Sequence, residues 1–344
     1  MHLKFNLSKK ILSWYDNNKR SLPWRVNKRS SKKLYYRLLS EFMLQQTQVK
    51  TVIPYFHKFI NSFPSIKSLA KSDLDKVLAN WSGLGYYTRA KNIHQASKII
   101  HQKYHGSIPK NYEQLIALPG IGESTAGALL TLAFDKPGII LDGNVKRVLL
   151  RVLGNKSPIN HSKTQKELKK FAAELLPKND FRTYSQGIMD LGSMICTPIN
   201  PTCKDCPIHN KCKSFQLNLQ NMIPVKTSKS QKKEKNINWL LIASKDKVLL
   251  KRNVNKGIWQ NLWLFPEANS LNYEKFNLLE EKESLPLIVH NLSHQKLSIF
   301  TKKYFLENKD RLPIDRRGFV WVNKKESVKM GIPKPVKLIL ENHL

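Results

Sequence analysis

A chain of 344 residues exceeds one ordinary domain, so two or three compact units are expected, and its 41% apolar residues are enough for real cores. No apolar run reaches the roughly 20 residues of a membrane span, and the start, MHLKFNLSKKILSWYDNN, lacks the apolar segment and cleavage site of a signal peptide, so a cytosolic protein is expected. With 59 basic and 25 acidic residues the formal net charge is +34, a field that favours DNA or RNA as partner, although abundant Lys, Asn and Ile make part of it compositional.

An amphipathic helix is predicted from about Leu7 to Asn17, followed by the loop Ser21-Leu22-Pro23-Trp24-Arg25. Over Tyr35–Gln46, apolar Tyr35, Leu38, Leu39, Phe42 and Met43 recur at i, i+3, i+4, i+7 and i+8, the spacing of one buried helix face. Similar patterns predict helices near 51–62, 73–80, 88–103 and 111–117. The turn Leu118-Pro119-Gly120-Ile121-Gly122 then leads into Glu123–Phe134, with further helices near 144–153, 163–176 and 182–194. Short loops between helices make this an all-α first half. Between about 214 and 236 large apolar residues thin out and Lys and Ser concentrate, which reads as a linker. Beyond it, Trp239–Ser244 and Val248–Arg252 flank Lys245-Asp246-Lys247 as a hairpin, and strand-like runs follow at 286–290, 296–306 and 318–322. The last part is therefore expected to be a separate α+β domain. No repeat of fixed period is evident.

Three constellations carry chemistry. The four cysteines all lie in one window, Cys196-x6-Cys203-x2-Cys206-x5-Cys212, which in a cytosolic protein reads as a metal site rather than a disulfide framework. Four thiolates can wrap Zn²⁺ or a [4Fe–4S] cubane, and the uneven spacing does not favour zinc. Lys204, Lys211 and Lys213 give the window a basic surround. The glycine-bearing turn at Gly120 and Gly122, ahead of a helix, exposes backbone N–H groups and the positive end of a helix dipole, a combination that binds phosphate without reading sequence. Asp142 follows in Leu141-Asp142-Gly143-Asn144, where the bland reading is an N-cap on the helix starting near Asn144, a role that could coexist with a chemical one. In Glu41-Phe42-Met43-Leu44-Gln45-Gln46-Thr47-Gln48, residues Glu41, Gln45 and Gln48 share a flank that periodicity alone would leave solvated.

The cysteine window resembles the iron–sulfur loop of the endonuclease III and MutY superfamily. The hairpin and Asp142 resemble the helix–hairpin–helix glycosylase motif, and the Glu41–Val49 string resembles the most diagnostic segment of MutY-type adenine DNA glycosylases. The resemblance implies a mainly α glycosylase domain over 1–215, made of a six-helix module at about 32–140 and an iron–sulfur module from 1–31 and 141–215. A linker at 216–236 and a smaller α+β, MutT-like (Nudix-like) domain at 237–344 follow. It further implies one [4Fe–4S] cluster on Cys196, Cys203, Cys206 and Cys212, and a monomer acting at the nucleoid. The implied partner is double-stranded DNA holding adenine opposite 8-oxoguanine or guanine.

Site residues follow from the same resemblance. Glu41 stands where the family's glutamate acts on adenine and Asp142 where its catalytic aspartate stands. Such a pair suits N-glycosidic cleavage: a protonated carboxyl can deliver a proton to the leaving base, and an ionised one can stabilise the sugar cation. The target base must first be flipped out of the duplex. Arg20, Leu22, Trp24, Arg25, Leu44, Gln186 and Met189 match the rim of the adenine pocket; Gln186 replaces a Glu of some relatives. Ser124 stands where endonuclease III enzymes carry a Schiff-base lysine, which implies base removal without strand cutting. Gln46, Thr47 and Tyr86 match residues beside the oxidised guanine, and Leu292-Ser293-His294 matches a Phe-Ser-His lesion-sensing loop, with Leu292 in place of Phe. Lys256–Pro266 matches the early MutT-like segment, but no Arg-Glu-x-x-Glu-Glu string follows, so no nucleotide hydrolysis is expected. The rival expectations are a glycosylase/lyase for oxidised pyrimidines, opposed by Ser124, and an inactive DNA-binding iron–sulfur protein, opposed by the intact Glu41 and Asp142.

Overall fold

The computed structural model describes residues 2–25, 31–225, 231–267, 279–306, 318–327 and 329–343. Part of the expected linker, 226–230, lies outside the described residues. The helices are α1 (His2–Asn18), α2 (Ser31–Leu44), α3 (Val49–Ser62), α4 (Ile66–Ala70), α5 (Leu74–Trp81), α6 (Thr88–Lys103), α7 (Tyr112–Ile116), α8 (Glu123–Phe134), α9 (Gly143–Leu153), α10 (Ser162–Glu174), α11 (Phe181–Met194), α12 (Lys213–Gln216), α13 (Lys324–Ser327) and α14 (Lys334–His343). The strands are β1 (Lys233–Ser244), β2 (Lys247–Arg252), β3 (Trp263–Leu264), β4 (Leu279–Ser284), β5 (Ile288–Asn291), β6 (Gln295–Phe305) and β7 (Phe319–Asn323). The predicted all-α start and α+β end are therefore observed. The short helices α4, α12 and α13 and the last helix, α14, are additions.

The contacts divide the chain into two compact units. The first comprises Met1–Val49, Ser65–Lys67 and Gln95–Ser228 and is helical. Its centre is α8, whose residues from Ala126 to Ala133 are all buried, as an apolar-all-round helix must be. α11 packs against α1, α8 and α9. Leu7, Ile11, Leu132, Val148, Leu149, Leu168, Ile188 and Leu191 share one core cluster. Glycines set the approach distances. A Cβ on Gly127 would stand 2.1 Å from the Ile139 carbonyl oxygen, and one on Gly192 would stand 2.9 Å from Asn144 Cβ. Gly154, at φ 64°, ends α9 in the left-handed conformation.

The second unit comprises Lys50–Pro64, Ser68–His94 and Lys229–Leu344. Its sheet runs β3-β2-β1-β6-β4, with β5 also on β6 and β7 also on β2. The β1–β2 hairpin turns at Lys245-Asp246, with Ser244 opposite Lys247, as the sequence predicts. β1 lies parallel to β6, from Lys233 opposite Gln295 to Ala243 opposite Phe305. Strand β1 begins at Lys233, ahead of the apolar run, because backbone pairing with β6 needs no apolar side chain. Helices α3 and α5 and the first turns of α6 belong to this unit: Ser82 Oγ and Tyr87 OH donate to the Ile332 carbonyl at 2.8 and 3.0 Å, and Arg252 pairs with Asp75 at 2.8 Å.

Substituting Gly127→Ala drives a methyl into backbone that cannot yield, and a loss of about 2 kcal/mol or more is expected in denaturant unfolding. Gly143→Ala, whose Cβ meets nothing within 4 Å, should stay within about 0.5 kcal/mol of the parent. Equal effects at the two positions would contradict this packing.

Candidate active site

Within the first unit the segment entering α9 is held at two points. The Leu141 N–H donates to Ser124 Oγ at 3.0 Å, so the serine acts as a tether for the backbone just before Asp142. Asp142 then caps α9, its Oδ1 accepting the Val145 N–H at 2.7 Å. The N-cap reading of this residue is thus what the structure shows. Burial pushes its carboxyl above the usual range, while the amides of Val145 and Asn144 and the charges of Arg147 and Lys146 act against that shift.

Glu41 lies one turn before the end of α2. It keeps some surface, but dense protein surrounds its carboxyl. Burial, with the Asp142 charge adding to it and Arg37 and Arg25 opposing it, pushes Glu41 up to about 7. The same burial lowers Arg37 to about 10. The flank that periodicity would have left solvated is therefore partly enclosed at Glu41 and Gln45 and exposed only at Gln48.

The chain leaves α2 through Gln46, at φ 56°, with the Thr47 N–H on the Leu44 carbonyl at 3.2 Å. Gln45 Nε2 reaches the Gly120 carbonyl at 3.2 Å and ties this exit to the glycine hairpin. There Leu118 and Ile121 are buried anchors, whereas Gly120, at φ 79°, and Gly122, the N-cap of α8, are exposed. An anchored hairpin with exposed glycine backbone is suited to a phosphate.

The loop after α1 turns at Pro23, with the Arg25 N–H on the Leu22 carbonyl at 2.8 Å. Trp24 is buried; Leu22, Leu44 and Met189 are half-buried. Gln186 is buried and accepts a hydrogen bond from Tyr15 OH, which leaves the second lone pair of Oε1 and the NH₂ donors. Arg20 and Arg25 both bind Asp190 of α11. Burial raises the Asp190 carboxyl, but the hydrogen bonds and charges of Arg25 and Arg20 prevail and hold it below its ordinary value.

The cysteines are free of disulfides and partly buried. Arg151, almost wholly buried, donates to Cys196 Sγ at 3.3 Å and to the Thr197, Pro198 and Ile223 carbonyls at 2.7, 3.3 and 2.8 Å. Arg147 donates to the Cys196 carbonyl at 2.8 Å and the Gly192 carbonyl at 2.6 Å. Burial pushes the Cys206 thiol up to about 12, so it ionises near neutrality only when a cation takes the sulfur. Among the described residues no three His, Cys, Asp or Glu side chains converge as a single-ion site. The four sulfurs nevertheless feel one another's charge, and an all-thiol donor set on one braced loop fits a polynuclear iron–sulfur group.

In the second unit, Tyr86 is exposed at φ 50°, with the Arg89 guanidinium 5.2 Å from its ring centre. Ser293 and His294 form the tip of the β5–β6 turn, closed by the Leu292 N–H on the Gln295 carbonyl at 2.8 Å. Tyr86, Ser293 and His294 line one cavity of about 760 Å³, together with Trp259, His290 and Leu292. Trp259 and His290 have ring centres 5.8 Å apart.

Comparison with known proteins gives a family for this arrangement. Residues 39–174 match the HhH-GPD superfamily of base excision DNA repair proteins, and residues 238–342 match the NUDIX domain. The adenine DNA glycosylase of Buchnera aphidicola subsp. Schizaphis graminum (strain Sg) is 38% identical over 97% of each chain. That of Buchnera aphidicola subsp. Acyrthosiphon pisum (strain APS) is 39% identical over 98% of each. The chain belongs to the adenine DNA glycosylase family. The structure of a thermostable thymine-DNA glycosylase superposes with a TM-score of 0.55 at 26% identity, covering 61% of this chain and 95% of that one; the helical glycosylase fold expected from the sequence is therefore observed.

Against this family background, three residues escaped the sequence reading. Asp190, Arg147 and Arg151 all sit on helix faces with ordinary periodicity, and only their burial marks them. Arg147 and Arg151 could have been noticed as two cations four residues apart, set among Val145, Val148, Leu149, Leu150 and Val152 on one helix. Asp190 carries no such signal.

Since Asn caps helices as well as Asp does, Asp142→Asn is expected to keep the stability of the parent within about 0.5 kcal/mol, whereas Asp142→Ala should lose about 1 kcal/mol. Thermal unfolding checks this, and a large loss in the Asn variant would show that the charge itself holds the helix.

Proposed function

We propose that this protein removes adenine from duplex DNA in base excision repair, with adenine opposite 8-oxoguanine or guanine as its substrate, and leaves the strand uncut. The observation that carries this reading is the pair of Glu41, pushed up to about 7, and Asp142 at the N-terminus of α9, in a chain whose relatives at 38% and 39% identity are adenine DNA glycosylases. Glu41 can hold a proton near neutrality and deliver it to the adenine ring, so that the base leaves neutral. Asp142, steadied by the α9 amides, faces the positive charge that grows on the sugar. Arg20, Leu22, Trp24, Arg25, Leu44, Gln186 and Met189 would enclose the flipped base, and Gly120 and Gly122 would hold the backbone beside it. Ser124, occupied with the Leu141 N–H, has no amine with which to form a Schiff base. Gln46, Thr47, Tyr86, Ser293 and His294 would meet the oxidised guanine: its N7 has become a donor, which a Ser hydroxyl can accept. The residues beyond the linker serve that recognition, with no nucleotide hydrolysis. The protein would act as a cytoplasmic monomer.

Single-turnover cleavage of a labelled duplex with one 8-oxoguanine:A pair tests this. Breaks should appear only after alkali, the rate should fall as pH rises through about 7 while Glu41 loses its proton, and Glu41→Gln should lose about 10²–10⁴ in rate. Breaks without alkali, or an unimpaired Glu41→Gln protein, would defeat the proposal.

Cys196, Cys203, Cys206 and Cys212 would hold one [4Fe–4S] cluster, which supplies iron–thiolate cross-links across the loop. Protein purified without oxygen should be brown, and stripping the iron should expose the 196–212 loop to protease. Zinc in place of iron on elemental analysis would reject the cluster.

A further inference from the structure

The Asp190 side chain has no exposed surface, while those of Arg20 and Arg25 keep 27% and 10%. Arg25 grips it with both terminal nitrogens, Nη1 to Oδ2 at 2.6 Å and Nη2 to Oδ1 at 2.8 Å. Arg20 adds Nε to Oδ1 at 2.7 Å, Nη2 to the same oxygen, and its backbone N–H to Oδ2 at 3.4 Å. Both arginines belong to the irregular loop that follows α1, which has little regular structure of its own. A carboxylate on rigid α11 is therefore what gives that loop its geometry, since fork-to-fork pairing fixes direction as well as distance. Two cations on one anion leave a net positive charge there, and Arg25 acts directly on Glu41.

We propose that Asp190 is a positioning residue of the glycosylase reaction: it orients Arg20 and Arg25 at the adenine pocket and, by cancelling one of their two charges, sets the field at Glu41. The inference rests on the Glu41 reading above. The charged groups concerned are few. Glu41 feels Asp142, Arg37 and Arg25; Arg37 also feels Arg182 and Tyr15; Tyr15 feels Arg25, Asp190 and Arg37. Removing the Asp190 charge leaves Arg25 uncompensated, which favours the ionised form of Glu41. Removing the Arg25 charge does the opposite.

The test is the pH dependence of single-turnover adenine release by the full-length protein. Asp190→Asn should move the fall in rate at high pH to lower pH by about one unit, a loss that approaches about tenfold at a pH well above the parent's midpoint. Arg25→Gln should move it to higher pH, and the double variant Asp190→Asn/Arg25→Gln, with the parent's net charge, should return it toward the parent. Asp190→Glu, which keeps the charge but not the geometry, should leave the midpoint in place while lowering the rate. If Asp190→Asn does not fold, Arg25→Gln decides alone, because Asp190 stays paired with Arg20. A midpoint that does not move in Arg25→Gln, or one unmoved in Asp190→Asn when only thermal stability falls, would overturn the proposal. Full activity in Glu41→Gln would instead overturn the reading on which it rests.

Discussion

The close approach of α8 to the segment leading into α9 is the contact on which the site depends. At Gly127 the helix lies so near the Ile139 carbonyl that no side chain fits between them. That distance lets Ser124, one turn earlier, accept the Leu141 N–H, and Asp142 then follows at a fixed place as the cap of α9. The position of the carboxylate is thus set by backbone packing and a serine tether rather than by its own rotamer. A capping carboxylate is also a preorganised one: the helix amides that hold it favour its negative form before any substrate arrives.

Charge around the site is arranged in layers. Burial takes water away from the Glu41 carboxyl and the Asp142 charge adds to that, so the proton stays on Glu41 to about 7. Arg37 and Arg25 limit that rise, and Asp190 in turn restrains Arg25 and Arg20. The proposed reaction would need a balance of charges and not a single strong pair, because too much positive charge would strip the Glu41 proton and too little would leave Asp142 uncharged.

α9 extends that order outward. Its first residue follows the Asp142 cap, Arg147 holds Asn144 Oδ1 and the Cys196 carbonyl, and Arg151 holds Cys196 Sγ and the carbonyls beyond it. The cysteine loop has only short 3-10 turns of its own, so these two guanidinium groups supply the hydrogen bonds that regular structure would have supplied. In the other unit the β5–β6 turn and the Tyr86 loop meet around one cavity, residues far apart in sequence brought together where Ser82 and Tyr87 bond to the Ile332 carbonyl, Asp75 to Arg252 and Lys91 to Gln260.

By itself the sequence determined the helices of the first half, since apolar spacing at Tyr35–Met43 and the glycine turn at 118–122 are local properties. It also determined the cysteine window and the strings around Glu41 and Asp142, whose spacing carries their chemistry. It did not reveal that β1 runs parallel to β6, because pairing across more than fifty residues leaves no local pattern. Nor did it reveal that α3 and α5 join the unit of the sheet. Asp190 and the pair Arg147 and Arg151 look like ordinary polar residues on helix faces. Their importance comes from burial, and burial depends on which faces meet. The same holds for Glu41: its identity as an acid was legible, but the environment that keeps its proton near neutrality exists only once α2, the α1 loop and the α9 terminus have come together.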